Sequence, residues 1–546
     1  MQKPTLSEKL SEIYRREEEA KTKDLAIKLH LPYLDLFGLP VDAEALEIVP
    51  EKKAEEANLI PLKKQGKHIE LAAVDPNDAK TKNLLSDLQK KGFACSIILI
   101  SQSSFTEGKK HYSELTLSKE KPAGQVEISG QLISEFQKEI KGIEGLKERI
   151  FQTPPSKTSE LLELIISGAF KLDASDIHLE PKENETHLKY RIDGMLYEVI
   201  ALPNRAYALI LPRLKLLSGM KLNIKDSAQD GRFTIRLTQT DIEVRTSVIP
   251  GSYGENIVLR LLNPKTIGLN LEDLGFRQDA LELLEKEIRK PNGLIITTGP
   301  TGSGKTTTLY AFIRKIMKPE VKIITLEDPV EYHLRGITQT QVEPKAGYDF
   351  ASGLRAILRQ DPDIILVGEI RDTETAKTAL NASLTGHLVF STLHTNDAAG
   401  AIPRFIDLGV EPGALAGSLN LIMAQRLVRR LCENCKKKYE PPKEIEEKIK
   451  TSLKNITHAP LDKTIFYKAK GCDACNGIGY KGRIGVLEIV LVEHELEKLI
   501  SQAPSHADIV EYMEKKGIMT MYQDALLKVL AGITTLEEVE RVVSEI

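Results

Sequence analysis

Residues 294–317 read LIITTGPTGSGKTTTLYAFIRKIM, and the fold of the surrounding domain can be predicted from this segment. The pattern G-x-x-x-x-G-K-T is complete and lies between an apolar strand pattern and a helical pattern, the context that a phosphate-binding loop requires. Glycines let backbone N–H groups converge on phosphate oxygens, and the N-terminus of the following helix adds positive potential. The predicted nucleotide-binding residues are Gly299, Pro300, Thr301, Gly302, Ser303, Gly304, Lys305, Thr306 and Thr307.

Two residues of this loop have predicted chemical roles. The Lys305 ammonium can reach the β- and γ-phosphates, and the Thr306 hydroxyl can be a ligand of Mg²⁺. The sequence therefore predicts ATP and Mg²⁺ as cofactors and places Lys305 among the catalytic candidates.

The segments around the loop have the pattern of a parallel sheet. Short unbroken apolar runs at 294–296, 323–326, 364–367 and 388–390 are separated by helical stretches. Such strands are typical of a sheet that helices cover on both faces. We therefore predict that residues 276–546 form a doubly wound, RecA-like α/β domain around the P-loop, with helices predominating towards the C-terminus.

Two of these predicted strands end in carboxylates. Glu327 follows the strand at 323–326, and Glu369 follows the strand at 364–367 after Gly368. The carboxyl ends of parallel strands face the ligand crevice, whereas an acid at a single strand end is often only part of a solvated turn. Two such strands after one P-loop favour a functional interpretation. Glu327 and Glu369 are competing candidates for the residue that activates water.

Two histidines, His387 and His394, lie at opposite ends of the strand pattern 388–390. A histidine at a strand end is more often structural than functional. An imidazole can also sense a phosphate or couple to a neighbouring subunit. Both interpretations stay open at this point.

Three regions precede this domain. Strand and helix patterns within residues 1–105 predict a small α/β module. Residues 106–154 are predicted to be a linker, polar at first and then helical near residues 132–143. A helix and five strand patterns within residues 155–275 predict an α+β domain. The chain is thus expected to be multidomain, as its 546 residues require.

Composition favours a cytoplasmic protein. The net charge is −3, and no apolar run approaches the roughly 20 residues that span a bilayer. Residues 1–19 lack the apolar core of a secretory signal. We therefore expect that any membrane contact of the protein is made through a partner. The absence of Trp and the 5% aromatic content give no sign of a surface that binds nucleic acid directly.

Four of the five cysteines form two pairs, Cys432-x-x-Cys435 and Cys472-x-x-Cys475. Two such knuckles suit a tetrahedral Zn²⁺ ion, and four thiolates leave no open position for catalysis. We predict a structural zinc site in an insertion at about residues 428–485. An iron–sulfur cluster and redox-active thiols are the alternatives.

The ordered motifs resemble those of a known family. The P-loop, ITLEDPVEY at 324–332, VGEIRD at 367–372 and the histidine segment at 385–396 are similar to the Walker A, Asp, Walker B and His boxes of type II secretion and type IV pilus assembly ATPases. Upstream, SDIHLEP at 175–181 and SYGEN at 252–256 resemble the domain that precedes the motor core in this family. The resemblance covers most of residues 155–546.

This resemblance implies a ring-shaped homohexamer with ATP held between the two large modules of each subunit. Arginines of the preceding domain would complete each site, and by position Arg245 and Arg260 are the candidates, with Arg232 as a third. His394 of the His box joins the catalytic candidates. Cycling of the ATP state would move one module against the other and drive an inner-membrane platform protein.

The resemblance also favours one branch of the family. Retraction motors generally lack the tetracysteine insertion and the N-terminal module, which indicates an assembly or secretion motor. The segment LPYLDL at 31–36 resembles the family's partner-docking domain, which in some relatives binds cyclic di-GMP. The Arg-Leu-Gly start and the glycine spacing of that ligand motif are absent, so this binding is not expected.

Several functions remain open from sequence alone. Pilus assembly, type II secretion and a DNA-uptake pilus are not distinguished. A DNA-translocating P-loop ATPase and a regulatory nucleotide-binding module without turnover are the alternatives from other classes. The slightly acidic balance argues against the first, and the presence of Lys305, Glu327 and Glu369 argues against the second.

Overall fold

The computed structural model of the chain describes residues 6–37, 41–119, 125–127, 142–154, 157–236, 241–262, 268–456 and 465–543. Contacts divide the chain into two compact units, residues 1–125 and residues 126–546. In the described part of the chain no helix combines the length and the apolar character needed to cross a membrane.

The first unit is an α/β module built on a three-stranded sheet. Strands β1 (Leu59–Gln65), β2 (His68–Ala73) and β3 (Ala94–Leu99) lie side by side in that order, with β1 antiparallel and β3 parallel to β2. The helix Ala79–Lys90 makes the crossover that a parallel pair requires, and the Asp78 side chain caps it. The helices of the unit are Leu6–Leu29, Ala43–Ile48, Glu51–Glu56, Ala79–Lys90 and Gln102–Lys119. The predicted N-terminal α/β module is confirmed.

The helix Gln102–Lys119 corrects the predicted start of the linker at residue 106. Phe105 and Tyr112 of this helix are buried, and the Tyr112 hydroxyl donates a hydrogen bond of 2.7 Å to the Val49 carbonyl. The polar residues of this stretch belong to a helix that packs on the module. Polar composition alone does not distinguish such a helix from a linker, because both expose charged side chains.

The second unit begins with the α+β domain. The helix predicted near residues 132–143 lies outside the described residues except at its end, where the helix Gly142–Gln152 begins. The sheet has the strand order β4-β8-β9-β10-β5-β6-β7 and is antiparallel from β8 to β7. Its strands are β4 (Gln125–Glu127), β5 (Ala174–Pro181), β6 (Glu185–Ile192), β7 (Met195–Pro203), β8 (Gln229–Arg236), β9 (Asp241–Gly251) and β10 (Gly254–Leu262).

One face of this sheet is buried. Alternate residues of β5, β6, β9 and β10 are buried and form a single apolar core with the helices Gly142–Gln152, Thr158–Lys171 and Asn204–Leu217. The other face is left to polar side chains, as the period of two along a strand requires.

The RecA-like domain follows. Its sheet has the order β13-β12-β14-β15-β11-β16-β19, and all neighbours are parallel except β16 and β19. All residues of β11, β12, β14 and β15 are buried, which confirms the predicted sheet covered on both faces. The strands are β11 (Gly293–Thr298), β12 (Ile323–Glu327), β13 (Thr338–Gln341), β14 (Ile364–Val367), β15 (Leu388–Leu393), β16 (Leu419–Leu431) and β19 (Tyr480–Leu491).

The tetracysteine insertion lies between β16 and β19 and contains the short ribbon β17 (Lys437–Tyr439) and β18 (Phe466–Lys468). Because β16 and β19 stay paired as far as Leu431 and Tyr480, the insertion begins and ends a few residues inside the predicted limits 428–485. The helices of the domain are Gln278–Glu287, Lys305–Ile316, Phe350–Leu358, Thr373–Leu384, Ala401–Asp407, Pro412–Ser418, Lys443–Ser452, His494–Ile500, His506–Lys516, Met521–Leu530 and Leu536–Val542.

Candidate nucleotide site

The P-loop joins the carboxyl end of β11 to the helix Lys305–Ile316. Gly299 and Gly304 have φ angles of 145° and 91°, a region that favours glycine. A Cβ atom on Gly299 would lie 2.5 Å from the Gln425 carbonyl oxygen, and one on Gly304 would lie 2.8 Å from the Gln425 side chain. The glycines therefore let the loop pass directly over β16.

Lys305 points into the curve of this loop. Its side-chain nitrogen donates hydrogen bonds of 2.6 Å to the Gly299 carbonyl and 3.2 Å to the Pro300 carbonyl. Burial lowers the pKa of Lys305 to about 8, against a raising influence of Glu369 and a further lowering by Arg426. The site thus holds a cation in a poorly solvated place, where a phosphate would stabilise its charged form.

Glu369 and His394 meet beside Lys305. Glu369 follows the end of β14 and His394 follows the end of β15, and the His394 Nε2 atom lies 3.3 Å from a Glu369 carboxylate oxygen. Arg371 pairs with the other oxygen at 2.6 Å. The structure therefore brings the predicted residues Lys305, Glu369 and His394 to one edge of the sheet.

Glu327 occupies a different environment at the end of β12. Its side chain is buried, and its carboxylate accepts hydrogen bonds from the Tyr310 hydroxyl, from the Thr325 hydroxyl at 2.5 Å and from the Gln339 amide at 3.1 Å. Burial, followed by the charge of Glu327, raises the pKa of Tyr310. Three donors from three elements fix the orientation of this carboxylate.

The second predicted histidine, His387, contacts the end of a helix. The His387 ring Nδ1 atom lies 2.9 Å from the Ala382 carbonyl oxygen at the end of the helix Thr373–Leu384. Asp372 is also engaged locally, because its side chain accepts the backbone N–H of Thr375 and caps the same helix.

The three candidate arginines of the preceding domain lie side by side. Arg232 on β8 pairs with Arg245 on β9, and Arg245 pairs with Arg260 on β10. Directly paired residues of antiparallel strands project to the same face, and the residues on either side of Arg245 and Arg260 are buried in the opposite face. We call these three residues the arginine row.

The arginine row reaches the RecA-like domain through Arg245. This side chain donates hydrogen bonds of 3.0 Å to the Glu331 carboxylate and 2.8 Å to the Val330 carbonyl, in the acidic segment that starts at Glu327. Arg260 instead donates to Asp176 of its own sheet at 2.9 Å. The structure therefore brings Arg245, and not Arg260, to the edge of the nucleotide site.

The four paired cysteines converge. Their sulfur atoms all lie within 4.8 Å of one another, and three of the sulfur pairs are 3.8 Å apart. Zinc–sulfur bonds of about 2.3 Å in a tetrahedron require sulfur–sulfur distances of about 3.8 Å. The geometry and the donor set of Cys432, Cys435, Cys472 and Cys475 are therefore compatible with one Zn²⁺ ion, whereas an iron–sulfur cluster would hold the sulfurs farther apart.

The strands β16 and β19, which flank the cysteine insertion, also contact the α+β domain. The Gly482 N–H donates a 2.8 Å hydrogen bond to Asp193, and the Arg429 guanidinium donates one of 2.9 Å to the Tyr197 hydroxyl. Ile478, which lies in the insertion itself, packs against the core of that domain. The insertion thus links the two large domains of the second unit.

Sequence reasoning missed several residues of this site. Tyr310 and Gln339 orient Glu327, and Gln425 and Arg426 of β16 lie under the P-loop. Of these residues, only Tyr310 could have been proposed from the sequence, because it lies on the P-loop helix near Lys305. The others come from β13 and β16, whose positions depend on the strand order.

Comparison with known proteins agrees with this geometry. Residues 154–541 match the family described as type II/IV secretion system protein, and residues 29–117 match the MshEN domain. The type IV pilus assembly ATPase PilB of Myxococcus xanthus is 37% identical over 525 residues, which cover 96% of this chain and 91% of that protein. PilB of Thermus thermophilus is 40% identical over 95% of this chain, but the chain spans only 57% of that protein's length.

The type II secretion system protein E of Dickeya dadantii is 46% identical over 385 residues, 70% of this chain and 75% of that protein. Among solved structures, the ATPase DotB of Yersinia pseudotuberculosis aligns with a TM-score of 0.51 at 20% identity, covering 71% of this chain and 95% of DotB. At that identity the likeness shows the fold alone. On the sequence matches, the chain belongs to the type II/IV secretion system protein family, the P-loop ATPases of type IV pilus assembly and type II secretion.

Proposed function

We propose that the chain is the motor subunit of a type IV pilus assembly machine, a homohexameric ATPase that turns ATP hydrolysis into movement of its α+β domain against its RecA-like domain. The observation that carries this proposal is the meeting of Lys305, Glu369 and His394 at the P-loop, with Arg245 presented from the preceding domain.

Pilus assembly is favoured over secretion because the pilus assembly relatives match a larger share of this chain. The two PilB relatives match 95% and 96% of this chain, including its N-terminal module, whereas the type II secretion relatives match 70–74%. A type II secretion motor is the second candidate, because the type II secretion system protein E of Dickeya dadantii is 46% identical over the 385 residues that it shares with this chain. A DNA-uptake pilus motor would use the same site.

The P-loop residues 299–307 hold the phosphates. Backbone N–H groups and Lys305 bind the β- and γ-phosphate oxygens, and Thr306 offers its exposed hydroxyl to Mg²⁺. When bound, Mg²⁺ neutralises charge that develops on these oxygens. Glu369, whose charge already acts on Lys305, would help to hold Mg²⁺ beside the phosphates.

Glu327 is the proposed general base. The water oxygen attacks the γ-phosphorus, the bond to the β,γ-bridging oxygen breaks, and the water proton passes to the Glu327 carboxylate. A base must be correctly aimed to be effective, and Glu327 is held by Tyr310, Thr325 and Gln339. His394 positions Glu369 through their contact and couples the γ-phosphate side of the site to the segment after β15.

The arginine row supplies the charge that stabilises the transferred phosphoryl group. Arg245 already contacts Glu331, so a small closing movement of the α+β domain exchanges that carboxylate for a phosphate oxygen. Arg260 follows on the neighbouring strand once it leaves Asp176. ATP binding therefore closes the two domains, and release of phosphate lets them part.

The partners are an inner-membrane platform protein that the ring moves and a cytoplasmic docking protein that binds the N-terminal module. The match of residues 29–117 to the MshEN domain supports a separate N-terminal binding module. The protein works at the cytoplasmic face of the inner membrane through these partners. Direct binding of nucleic acid is not part of the proposal.

Cys432, Cys435, Cys472 and Cys475 are proposed to bind a structural Zn²⁺ ion. Supporting this, backbone N–H groups of Cys472 and Gly479 donate to the Cys475 sulfur at 3.2 Å each, contacts that stabilise a thiolate. The ion would hold the insertion in the form in which Ile478 packs against the core of the α+β domain.

The test is phosphate release by the purified full-length chain with Mg²⁺, compared with Lys305→Ala and with Glu327→Gln. The proposal is supported if the wild-type chain hydrolyses ATP and both substitutions abolish this turnover. Light scattering of the wild-type chain should give the mass of a hexamer. A hexamer without turnover would refute the ATPase assignment. Strong stimulation of turnover by DNA would favour the DNA-translocating alternative instead.

A further inference from the structure

Arg426 lies beneath the P-loop on β16, the neighbour of β11 on the side away from β15. A Cβ atom on Gly299 would lie only 3.2 Å from the Arg426 Nη1 atom. The adjacent Gln425 accepts a 2.9 Å hydrogen bond from Thr308 of the P-loop helix. This strand therefore places a guanidinium directly against the first glycine of the loop.

One end of this guanidinium has no protein partner. The Nη2 atom donates a 3.1 Å hydrogen bond to the Asn396 carbonyl, but Nη1 is buried and has no hydrogen-bond partner among the described residues. A buried donor of a charged group that makes no hydrogen bond costs the folded protein free energy. The position of Nη1 therefore suits an acceptor that comes from outside the chain.

Within the described residues, no carboxylate forms an ion pair with Arg426. The charge of Asp397 acts on Arg426, but that carboxylate is already bound by the Gly400 N–H at 2.7 Å and by His506 at 3.0 Å. Lys305, the other cation of the loop, feels the charge of Arg426. Two cations, neither of which forms an ion pair within the described part of the chain, thus converge on the phosphate-binding loop.

We propose that Arg426 is a nucleotide-binding residue that donates from Nη1 to a phosphate oxygen shared by ATP and ADP. Sheet order supports this choice of phosphate, since Glu369 and His394 follow β14 and β15 on one side of the P-loop strand while Arg426 approaches from the other. The γ-phosphate and the metal belong to the first side, which leaves the phosphates nearer the nucleoside for Arg426. This inference rests on the nucleotide site proposed above.

The contact also has a structural consequence. The Nη2 hydrogen bond to Asn396 ties the same guanidinium to the segment that carries His394. Arg426 thus holds this segment whether ATP or ADP is bound, while His394 contacts the acid on the γ-phosphate side.

The test measures binding of fluorescent ADP and ATP analogues to the full chain and to Arg426→Gln and Arg426→Lys. Arg430→Ala is the matched control, since Arg430 is exposed on the same strand. Loss of a charge-assisted hydrogen bond should weaken both ADP and ATP binding by roughly 10- to 100-fold in Arg426→Gln. Arg426→Lys keeps the charge and should lose less.

Competition experiments distinguish a phosphate contact from a structural role. Inorganic pyrophosphate should compete more weakly in Arg426→Gln, while adenosine should compete as in the wild type. The proposal is overturned if Arg426→Gln binds ADP as tightly as Arg430→Ala does. It is also overturned if Arg426→Gln loses affinity for ATP alone, or if its affinity for adenosine falls as well. If Arg426→Gln does not fold, Arg426→Lys carries the same comparison. A wild-type chain that binds neither nucleotide refutes the nucleotide site itself.

Discussion

Nucleotide affinity should fall as the pH rises through about 8, because the buried Lys305 loses its proton there. Burial lowers the pKa of this lysine to about 8 from an ordinary value near 10.5. A bound phosphate stabilises the ammonium, so the pKa in the complex lies above that of the free site. Binding therefore requires the proton, and affinity is constant below the lower pKa and declines above it.

The magnitude follows from this pKa. If only the protonated form binds, the apparent Kd scales with 1 + 10 to the power (pH − 8), so binding at pH 9.5 should be about 25-fold weaker than at pH 7.5. A lysine with an unperturbed pKa would show almost no change over this interval. The interval also lies above the titration range of the nucleotide phosphates.

The assay is titration with a fluorescent ADP analogue in Mg²⁺ at half-unit steps between pH 7.5 and 9.5. Lys305→Arg is the control, because its guanidinium keeps the charge throughout and its weaker binding should be independent of pH. Circular dichroism at each pH establishes that the fold is intact. A wild-type Kd that stays constant up to pH 9.5 would refute the inference that Lys305 is desolvated in the free site.

Three further outcomes are expected. Tyr310→Phe removes a donor to Glu327 and should lower kcat roughly 10- to 100-fold in a phosphate-release assay, with ADP affinity retained; an unchanged kcat would contradict its positioning role. Arg245→Ala should lower kcat by roughly 10³-fold at unchanged ADP affinity, as measured by the same two assays, and an effect on ADP affinity alone would argue against a role on the transferred phosphoryl. Cys472→Ser should reduce the zinc content from one ion per chain and lower the midpoint of thermal unfolding without abolishing ADP binding; freshly purified wild-type protein without zinc by elemental analysis would exclude the site.

Local patterns predicted the centre of the RecA-like domain well. The P-loop is a contiguous motif whose glycines and lysine work through their own backbone and side chains, so the sequence alone could identify it. The same holds for the apolar strands that end at Glu327 and Glu369, whose burial the structure confirms. The linker start at residue 106 was wrong, since a polar stretch can equally be a packed helix.

Contacts between segments that are distant in the sequence could not be predicted from such local patterns. The arginine row exists only because the registers of β8, β9 and β10 align Arg232, Arg245 and Arg260. Glu327 and Glu369 look equivalent in the sequence, yet one is enclosed by donors and the other meets His394. Strand order and register are set by packing over the whole sheet, which no short window of sequence records.

The order of residues along the chain was sufficient to predict a nucleotide-binding α/β core, four cysteines with the spacing of a metal site and the ordered motifs of a secretion or pilus ATPase. Those features depend on residues that are neighbours along the chain. Tertiary structure alone decided which acid is enclosed, which arginine reaches the RecA-like domain and that Arg426 of β16 lies beneath the loop. Side chains more than a hundred residues apart come together there because a parallel sheet gathers the ends of separate strands at one edge.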